Sequence, residues 1–115
     1  MDLCIKRVYD EPASDDGYRV LVDRLWPRGL TKQKAALDEW CKELGPSTEL
    51  RHWFGHVPAR WDEFRRRYDA ELAGAEQLWR PLLDRAAQQR VTLLFSAHDA
   101  EHNQAVALRE FLLAV

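Results

Sequence analysis

The chain has 115 residues, and 17 Lys and Arg against 19 Asp and Glu give it a formal net charge of −2 at pH 7. Its hydrophobic fraction of 46% and charged fraction of 31% are typical of one globular domain, which we place at residues 1–115. The slight excess of acidic residues argues against general nucleic-acid binding. No apolar run reaches the ~20 residues of a membrane span, and the chain does not begin with a signal-peptide pattern. We therefore expect a cytoplasmic protein.

Two short apolar segments near the N-terminus predict the first two strands. Residues 3–9 and residues 18–25 each contain a short run of aliphatic side chains. The polar segment 10–17 between them predicts a loop. Pro27 and Gly29 predict a turn after the second strand, because proline fixes φ and glycine permits a positive φ.

The segment after this turn is compatible with two structures. Thr31 predicts the N-cap of a short helix that ends near Ala36. Apolar residues within 37–44 repeat at helical spacing and would extend that helix. A strand over 38–42 is the alternative, and periodicity alone does not distinguish the two.

Further helices follow a break at residues 45–48, where Ser47 or Thr48 predicts the cap of a short helix. Residues 59–73 predict a longer helix with opposite charges four residues apart, among them Arg67 and Glu71. Residues 78–87 predict another helix, which Pro81 should kink or delay.

The last two predicted elements are a strand at residues 91–95 and a helix that begins at a cap, Asp99, and ends near Ala114. Strands separated by helices indicate an α/β fold. We therefore predict a single small domain with a mainly parallel sheet of about four strands, flanked by helices.

Polar side chains follow each predicted strand where the strand finishes. Because right-handed crossovers orient parallel strands alike, these side chains should gather at the carboxyl edge of the sheet, where α/β proteins bind ligands. They are Tyr9, Asp10, Asp23, Arg24, Trp26, Arg28, Ser47, Thr48, Ser96, His98, Asp99, His102 and Asn103.

This edge predicts a site for a small anionic or phosphate-bearing ligand. Two predicted helix starts, at residues 47–48 and 99–102, offer unpaired N–H groups and a favourable helix dipole. Arg24 and Arg28 add donors suited to carboxylate or phosphate. The simpler alternative is that the capping residues serve only their own helices and that the charged residues only pair with their neighbours.

Neither the histidines nor the cysteines form a metal-binding pattern. His98 and His102 are four residues apart, but they lack the HExxH arrangement, and the first should precede the helix. Cys4 and Cys41 lie in predicted strands without a CxxC spacing, which favours reduced, buried thiols. We expect no metal site, and the residues indicate no particular cofactor.

Four motifs carry a resemblance to a known family: VLVDRLWPRGL at 20–30, PSTELRHWFGH at 46–56, WDEFRRRY at 61–68 and VTLLFSAHDAEHNQAVAL at 91–108. With them the chain resembles, over nearly its whole length, the YeaO-like branch of domain-of-unknown-function family 488. The resemblance implies a small bacterial α/β protein, a branch without established activity, and a strand over 37–42. It also implies a polar site formed by Asp23, Arg24, Pro27, Arg28, Ser47, Thr48, Arg51, His56, Asp99, His102 and Asn103.

Two departures from the wider family limit what is carried over. More distant relatives often have a Cys-His-Arg triplet near the start of the last helix, where this chain has Glu101, His102 and Asn103. Cysteine-based chemistry is therefore not transferred. Val57 stands where an Asp is common, which weakens any role for that loop.

These residues support two functions, beside a purely structural role. In the first, the edge binds a small anionic ligand, with or without catalysis. Asp23 and His102 would then be the acid–base pair, and the ligand-binding residues would be Arg24, Arg28, Ser47, Thr48, Arg51, His56, Asp99 and Asn103. In the second, an aromatic and basic cluster contacts protein or nucleic acid without catalysis. This cluster comprises Trp53, Phe54, His56, Arg60 and Trp61, whose aromatic members fit a core face equally well.

Overall fold

Four parallel strands form one sheet in the order β1-β4-β2-β3 in the computed structural model, which describes residues 1–115. The strands are β1 Leu3–Arg7, β2 Tyr18–Leu21, β3 Glu39–Trp40 and β4 Val91–Phe95. The α-helices are α1 Lys32–Ala35, α2 Thr48–Phe54, α3 Trp61–Ala73, α4 Glu76–Ala86 and α5 Gln104–Ala114, and single 3-10 turns cover Ser14–Asp16, Lys42–Leu44 and Pro58–Arg60. All three strand pairs are parallel, which confirms the predicted α/β fold.

Strand β4 lies at the centre of the sheet and is buried along its whole length. It pairs with β1 on one side, from Leu3 opposite Val91 to Arg7 opposite Phe95, and with β2 on the other. A strand with helices or loops on both faces needs a continuous apolar run rather than alternation. The sequence VTLLF meets that need at four of its five positions, and the buried Thr92 hydroxyl is hydrogen-bonded to Asp16 O.

The main core lies between one face of the sheet and helices α2 to α5. Alternate strand residues, such as Val20 and Val22 of the second strand segment, point to this face. Full burial of an aliphatic or aromatic side chain contributes ~1.5–3 kcal/mol. The largest side chains that are almost completely buried here are Leu44, Phe64, Tyr68, Leu72, Leu93, Leu108 and Leu112.

The opposite face carries a smaller core of Val8, Leu21, Ala35 and Leu94, against which Trp26, Leu30 and Leu37 pack. A network of buried charges extends the cover of this face. The Asp16 carboxylate accepts hydrogen bonds from Lys6 Nζ at 3.2 Å, Arg19 Nη1 at 2.5 Å and the Ala13 N–H at 2.9 Å. The Thr92 hydroxyl donates to the main-chain oxygen of Asp16 at 2.6 Å. The predicted polar loop 10–17 is thus fixed onto the sheet by charge and not by apolar packing.

Residues 37–44 form strand β3 followed by a 3-10 turn, so the strand alternative is confirmed. Ala36 ends α1 in the left-handed conformation, with φ 49° and ψ 49°. The Cys41 N–H then donates to Leu21 O at 2.9 Å and continues the pairing with β2. The deciding partner is a distant strand, which the local periodicity does not contain.

The last helix begins four residues later than predicted. Asn103 is its N-cap, and Asn103 Oδ1 accepts hydrogen bonds from the N–H groups of Ala105 and Val106 at 3.0 and 3.1 Å. Asp99 caps only a preceding turn, where its Oδ1 accepts from the N–H groups of Glu101 and His102. The prediction of Asp99 as the helix cap is therefore wrong, and so is a helix N-terminus at 99–102.

The remaining boundaries differ from prediction by a few residues. β2 ends at Leu21, before the charged residues that follow it, and α3 begins at Trp61 after a 3-10 turn. Cys4 and Cys41 are free thiols, as predicted, although only Cys41 is buried. None of the helices has both the length and the apolar composition that crossing a bilayer requires.

Candidate functional site

The candidate site lies where the neighbouring strands β2 and β4 end. The chain leaves β2 toward β3 through α1, whereas after β4 it enters α5, which packs against β1 and β4. The connections therefore diverge between these two strands. In open α/β sheets such a divergence forms a crevice at the carboxyl ends, and ligands bind in it.

Asp23 is the buried acid of this crevice, with only 8% of its surface exposed. Its Oδ2 accepts the main-chain N–H of Ser96 at 2.9 Å, and its Oδ1 accepts the side-chain amide of Gln104. Its main-chain oxygen accepts Trp40 Nε1 at 2.7 Å. Burial raises the pKa of Asp23, although hydrogen bonds from Ser96 and Gln104 and the charge of His56 oppose the rise. Asp23 thus joins β2, β4, α5 and β3.

Arg24 donates its guanidinium hydrogen bonds to the chain itself. Nε donates to Pro46 O at 2.9 Å, and Nη2 donates to Gly45 O at 2.8 Å. Arg24 therefore holds the loop that leads into α2. Arg28 differs: its side chain is exposed, and only its main-chain oxygen is bonded, to the Tyr9 hydroxyl at 2.8 Å.

The start of α2 already holds a carboxylate from α3. Ser47 is the N-cap, as predicted, and its Oγ accepts the Leu50 N–H at 3.1 Å. The Glu71 carboxylate accepts the Ser47 N–H at 2.9 Å and the Ser47 hydroxyl at 2.6 Å. Glu71 is therefore not the predicted partner of Arg67, which pairs with Glu63 at 2.8 Å. Thr48 lies beside this contact and is exposed.

The turn before α5 is held by its own side chains. Asp99 Oδ2 lies 2.9 Å from His102 Nδ1, and the Asp99 main-chain oxygen accepts Asn103 Nδ2 at 2.9 Å. Hydrogen bonds from the Glu101 N–H and from His102 lower the pKa of Asp99. Asn103 is almost completely buried and serves the helix cap. The ring of His102, in contrast to the side chain of Asn103, is partly exposed.

An aromatic cluster connects this turn to α2 and α3. The His102 ring lies edge-on to Trp61 with centroids 5.3 Å apart, and Trp61 stacks on Phe64 at 5.6 Å. Phe54 stacks on Phe64 at 4.4 Å and lies 6.1 Å from the ring of His56. His56 has a φ of 56°, a left-handed conformation that few side chains other than Gly, Asn, Asp and His adopt. The cluster places His56 beside the end of α2 and His102 beside the start of α3.

Arg51 lies on α2, one turn after Ser47 and one turn before Gly55. Its side chain is partly buried, and its Nε is shielded from solvent without a hydrogen-bond partner in the chain. Arg65 also has an unpartnered Nε, but its other guanidinium nitrogens bond to Glu110 and Asp62 at 2.9 and 3.0 Å. No salt bridge involves Arg51.

A family model, DUF488-N3i, described as the inactive DUF488-N3 subclade, matches residues 2–115. The chain belongs to this family. It is similar to the Escherichia coli protein named "Uncharacterized protein YeaO", with 50% identity over 112 residues that cover 97% of each chain. It is also 52% identical to "Uncharacterized protein Rv3073c" of Mycobacterium tuberculosis over 68 residues. These residues make up 59% of this chain and 58% of the Mycobacterium tuberculosis protein. No solved structure matches the chain. The resemblance to the YeaO-like branch is confirmed.

Two residues of the DUF488-N3i site were missed by sequence reasoning. Gln104 donates to Asp23, and Glu71 occupies the start of α2. A signal for Gln104 was present: a buried acid at a strand end needs donors, and Gln104 is a neutral donor within the last motif. Glu71 gave no local signal, because its partner lies on another helix 24 residues away.

Neither a metal-type cluster nor either of two cavities of the chain lies in the crevice between β2 and β4. The DUF488-N3i chain has no group of three His, Cys, Asp or Glu side chains placed to hold a metal ion. Two cavities, of about 480 and 440 Å³, lie beside the end of α4 and beside the end of β1. Neither is lined by Asp23, Arg51 or His102.

Proposed function

We propose that this protein binds a small anionic ligand, a carboxylate or a phosphate, without catalysing a reaction. The proposed surface surrounds the end of α2 and comprises Arg51, His56 and His102. The observation that carries the proposal is Arg51, a cation whose buried Nε has no partner within the chain. The proposal includes a cytoplasmic location, which the free thiols of Cys4 and Cys41 support.

An anion would supply what Arg51 lacks. Arg51 makes no salt bridge within the chain, and its Nη1 and Nη2, unlike its Nε, are not shielded from solvent, so they can pair with a carboxylate or phosphate oxygen. The planar guanidinium matches both groups in geometry and charge. Arg24 and Ser47 were predicted to bind the ligand, but their polar groups are bonded within the chain. In this proposal they shape the loop and the helix start that support Arg51.

Binding without catalysis follows from the two acid–base candidates. Asp23 is buried, and both of its carboxylate oxygens accept hydrogen bonds. His102 is held through Nδ1 by Asp99 and lies against Trp61. A general base must reach its proton at hydrogen-bond distance, which the engaged carboxylate of Asp23 does not offer. The description of the family as an inactive subclade supports the same conclusion.

A thermal-shift titration at low salt tests the proposal. The ligands are inorganic phosphate, citrate and AMP, and the proteins are the wild type, Arg51→Met and Arg66→Met. Met keeps much of the apolar stem of Arg and removes its charge. Arg66 is the matched control, since it is 78% exposed on α3 and pairs only with Glu63.

We expect at least one anion to stabilise the wild type and Arg66→Met, by about 2.7 kcal/mol at a ligand concentration of about 100 times Kd. Arg51→Met should lose this stabilisation while keeping its own fold. Equal stabilisation of Arg51→Met, or no stabilisation of the wild type by any of the three anions, would refute the proposal.

A second candidate, an interaction module, rests on Trp53. Its partly exposed ring lies 4.2 Å from the Arg67 guanidinium and 5.5 Å from that of Arg60. Phe54, by contrast, is buried in the core and cannot contact a partner. Binding of a single-stranded oligonucleotide that weakens steeply with salt and disappears in Trp53→Ala would favour this function. No binding at low salt would exclude the nucleic-acid version of it.

A further inference from the structure

Three large apolar residues lie in the segments where β2 and β3 end, outside the anion surface. Leu25 is 59% exposed, Trp40 is 38% exposed, and the ring of Trp26 lies 5.3 Å from that of Trp40. We call these three residues the tryptophan patch. β3 is an edge strand of only two residues, so no further strand covers this side. Grouped, exposed apolar side chains of this kind mark interaction sites on proteins.

Both indole rings of the patch are fixed by the backbone. Trp40 Nε1 donates to Asp23 O at 2.7 Å, and Trp26 Nε1 donates to Leu30 O at 2.6 Å. Their polar atoms are therefore satisfied inside the protein. The Trp26 ring packs against the smaller core, so Trp40 and Leu25 provide the exposed apolar surface. Rigid aromatic side chains lose little conformational entropy on binding, which suits them as anchors for a partner.

The charge around the patch is positive. Residues 24–43 contain five cations and three acids, in a chain with a net charge of −2. Three of these charged side chains are bonded within the chain. Asp38 accepts the Arg19 N–H at 2.8 Å, Glu39 accepts the Tyr18 hydroxyl at 2.9 Å, and Arg24 donates to Pro46 O and Gly45 O. Lys42 Nζ lies 5.4 Å from the centre of the Trp40 ring.

We infer that the tryptophan patch docks an acidic peptide segment of a protein partner. The segment carries an aromatic or aliphatic side chain that packs on Trp40 and Leu25, and its carboxylates face Lys42 and the exposed Arg28. Nucleic acid is a poorer fit for this geometry. The two rings stand at 71° to each other and so offer no flat platform for successive bases, and the whole chain is acidic.

Protein labelled with ¹⁵N, titrated with the synthetic peptide Asp-Glu-Asp-Phe-Leu-Asp-Glu-Asp up to millimolar concentration, tests the inference. The indole N–H signals of the five tryptophans give a site-resolved readout. We expect the signals of Trp26 and Trp40 to shift, whereas those of Trp53 and Trp79 stay in place. A peptide with Lys at every acidic position should cause no shift.

Two variants at exposed positions probe the patch without removing a buried group. Leu25→Ser removes apolar contact, Lys42→Glu reverses a charge, and each should raise Kd at least about tenfold. Either of two results with the peptide overturns the inference: no shift of the indole signals at millimolar peptide, or binding by both variants as tight as that of the wild type. Two further results also overturn it: tighter binding of oligothymidylate than of the peptide to the same rings, or sedimentation of the protein as a dimer that Leu25→Ser dissociates. The last result would identify a second copy of the chain as the occupant. Binding of phosphate at Arg51 is a separate measurement, so the two proposals can fail independently.

Discussion

The carboxylate of Asp23, at the end of β2, accepts the main-chain N–H of Ser96, at the end of β4, at 2.9 Å. A second donor, the amide of Gln104, comes from the first turn of α5. These bonds cross the crevice in which α/β proteins usually hold a ligand. The chain therefore links the two strand ends with its own side chains, and any ligand must bind beside this link, on the α2 side or on the β3 side.

Asp23→Asn should preserve or increase stability at neutral pH. The raised pKa of Asp23, above its ordinary 3.8, means that the folded state favours the protonated form, so stability is lost as pH rises through the folded pKa. Asparagine keeps an acceptor for the Ser96 N–H and can donate to a rotated Gln104 amide. Urea denaturation should show Asp23→Asn at least as stable as the wild type at pH 7, with a difference that shrinks toward pH 4.

The contrasting substitution at this position is Asp23→Leu, which removes both acceptors. The Ser96 N–H and the Gln104 amide would then be buried without partners, at a cost of about 2–4 kcal/mol. If Asp23→Asn and Asp23→Leu lose the same free energy of unfolding at pH 7, the hydrogen bonds of Asp23 do not support the strand ends.

The sequence was sufficient for elements whose signals are local. Ser47 and Thr31 each accept a main-chain N–H three residues ahead, as capping residues do, and the run Val91–Phe95 forms the central strand. It was insufficient where two local signals compete. Asp99 and Asn103 each accept main-chain N–H groups from residues ahead of them, and the helix begins after Asn103.

At the candidate site, too, the sequence predicted some contacts and not others. The parallel topology predicted that Asp23 and Ser96 would lie at one edge, and they are directly bonded. The partners of the remaining polar residues depend on how helices cross, which no local pattern encodes. Glu71 reaches Ser47 because α3 packs on α2, and it meets the need for an anion that the helix start of α2 presented in the sequence.

Asp16→Asn should be strongly destabilising. Burial alone would raise the pKa of Asp16, but hydrogen bonds from the Ala13 N–H, Lys6 and Arg19 outweigh burial and lower it below 3.8. Its ionised form therefore stabilises the fold above about pH 4, and this contribution is lost as pH falls through the folded pKa. Removing the charge leaves Arg19, which is 5% exposed, with the main-chain oxygens of Ala35 and Ala36 but without its only anionic partner. We expect a loss of about 3–5 kcal/mol at pH 7.

The neighbouring Asp15 provides the control, since its side chain is 81% exposed and its closest cation, Arg90, lies 4.0 Å away. Asp15→Asn should change the free energy of unfolding by less than about 0.5 kcal/mol. Urea denaturation of both variants at pH 7 decides the matter. Similar small losses for the two variants would show that the charge network around Asp16 does not hold the loop onto the sheet.

Ser47 and Glu71 should be energetically coupled across α2 and α3. Glu71→Ala removes the acceptor of two hydrogen bonds, and Ser47→Ala removes both a donor to Glu71 and the cap of α2. Each single change should cost about 1 kcal/mol at this exposed site. A double-mutant cycle should give a coupling energy of about 0.5–1.5 kcal/mol, because the hydroxyl bond is lost in either variant. Additive losses would mean that Glu71 does not stabilise the helix start.

Gly17→Ala and Gly29→Ala separate two costs of glycine replacement. Both positions have a positive φ, 68° and 74°, so alanine is strained at each. Gly17 also has a ψ of −134°, outside the left-handed helical region, where a side chain costs about 1–3 kcal/mol. At Gly29, in the turn of the DRLWPRG motif, an added Cβ meets no atom within 4 Å. At Gly17 it would lie 2.2 Å from the main-chain oxygen of Arg90, which accepts the Tyr18 N–H at 2.9 Å. That backbone must move, which adds about 1–3 kcal/mol to the cost of the substitution.

We therefore expect Gly17→Ala to reduce the free energy of unfolding, measured by urea denaturation, by at least about 1 kcal/mol more than Gly29→Ala does. Equal losses would indicate that the loop at 10–17 moves freely away from the start of β4, contrary to the close packing of Gly17 on Arg90.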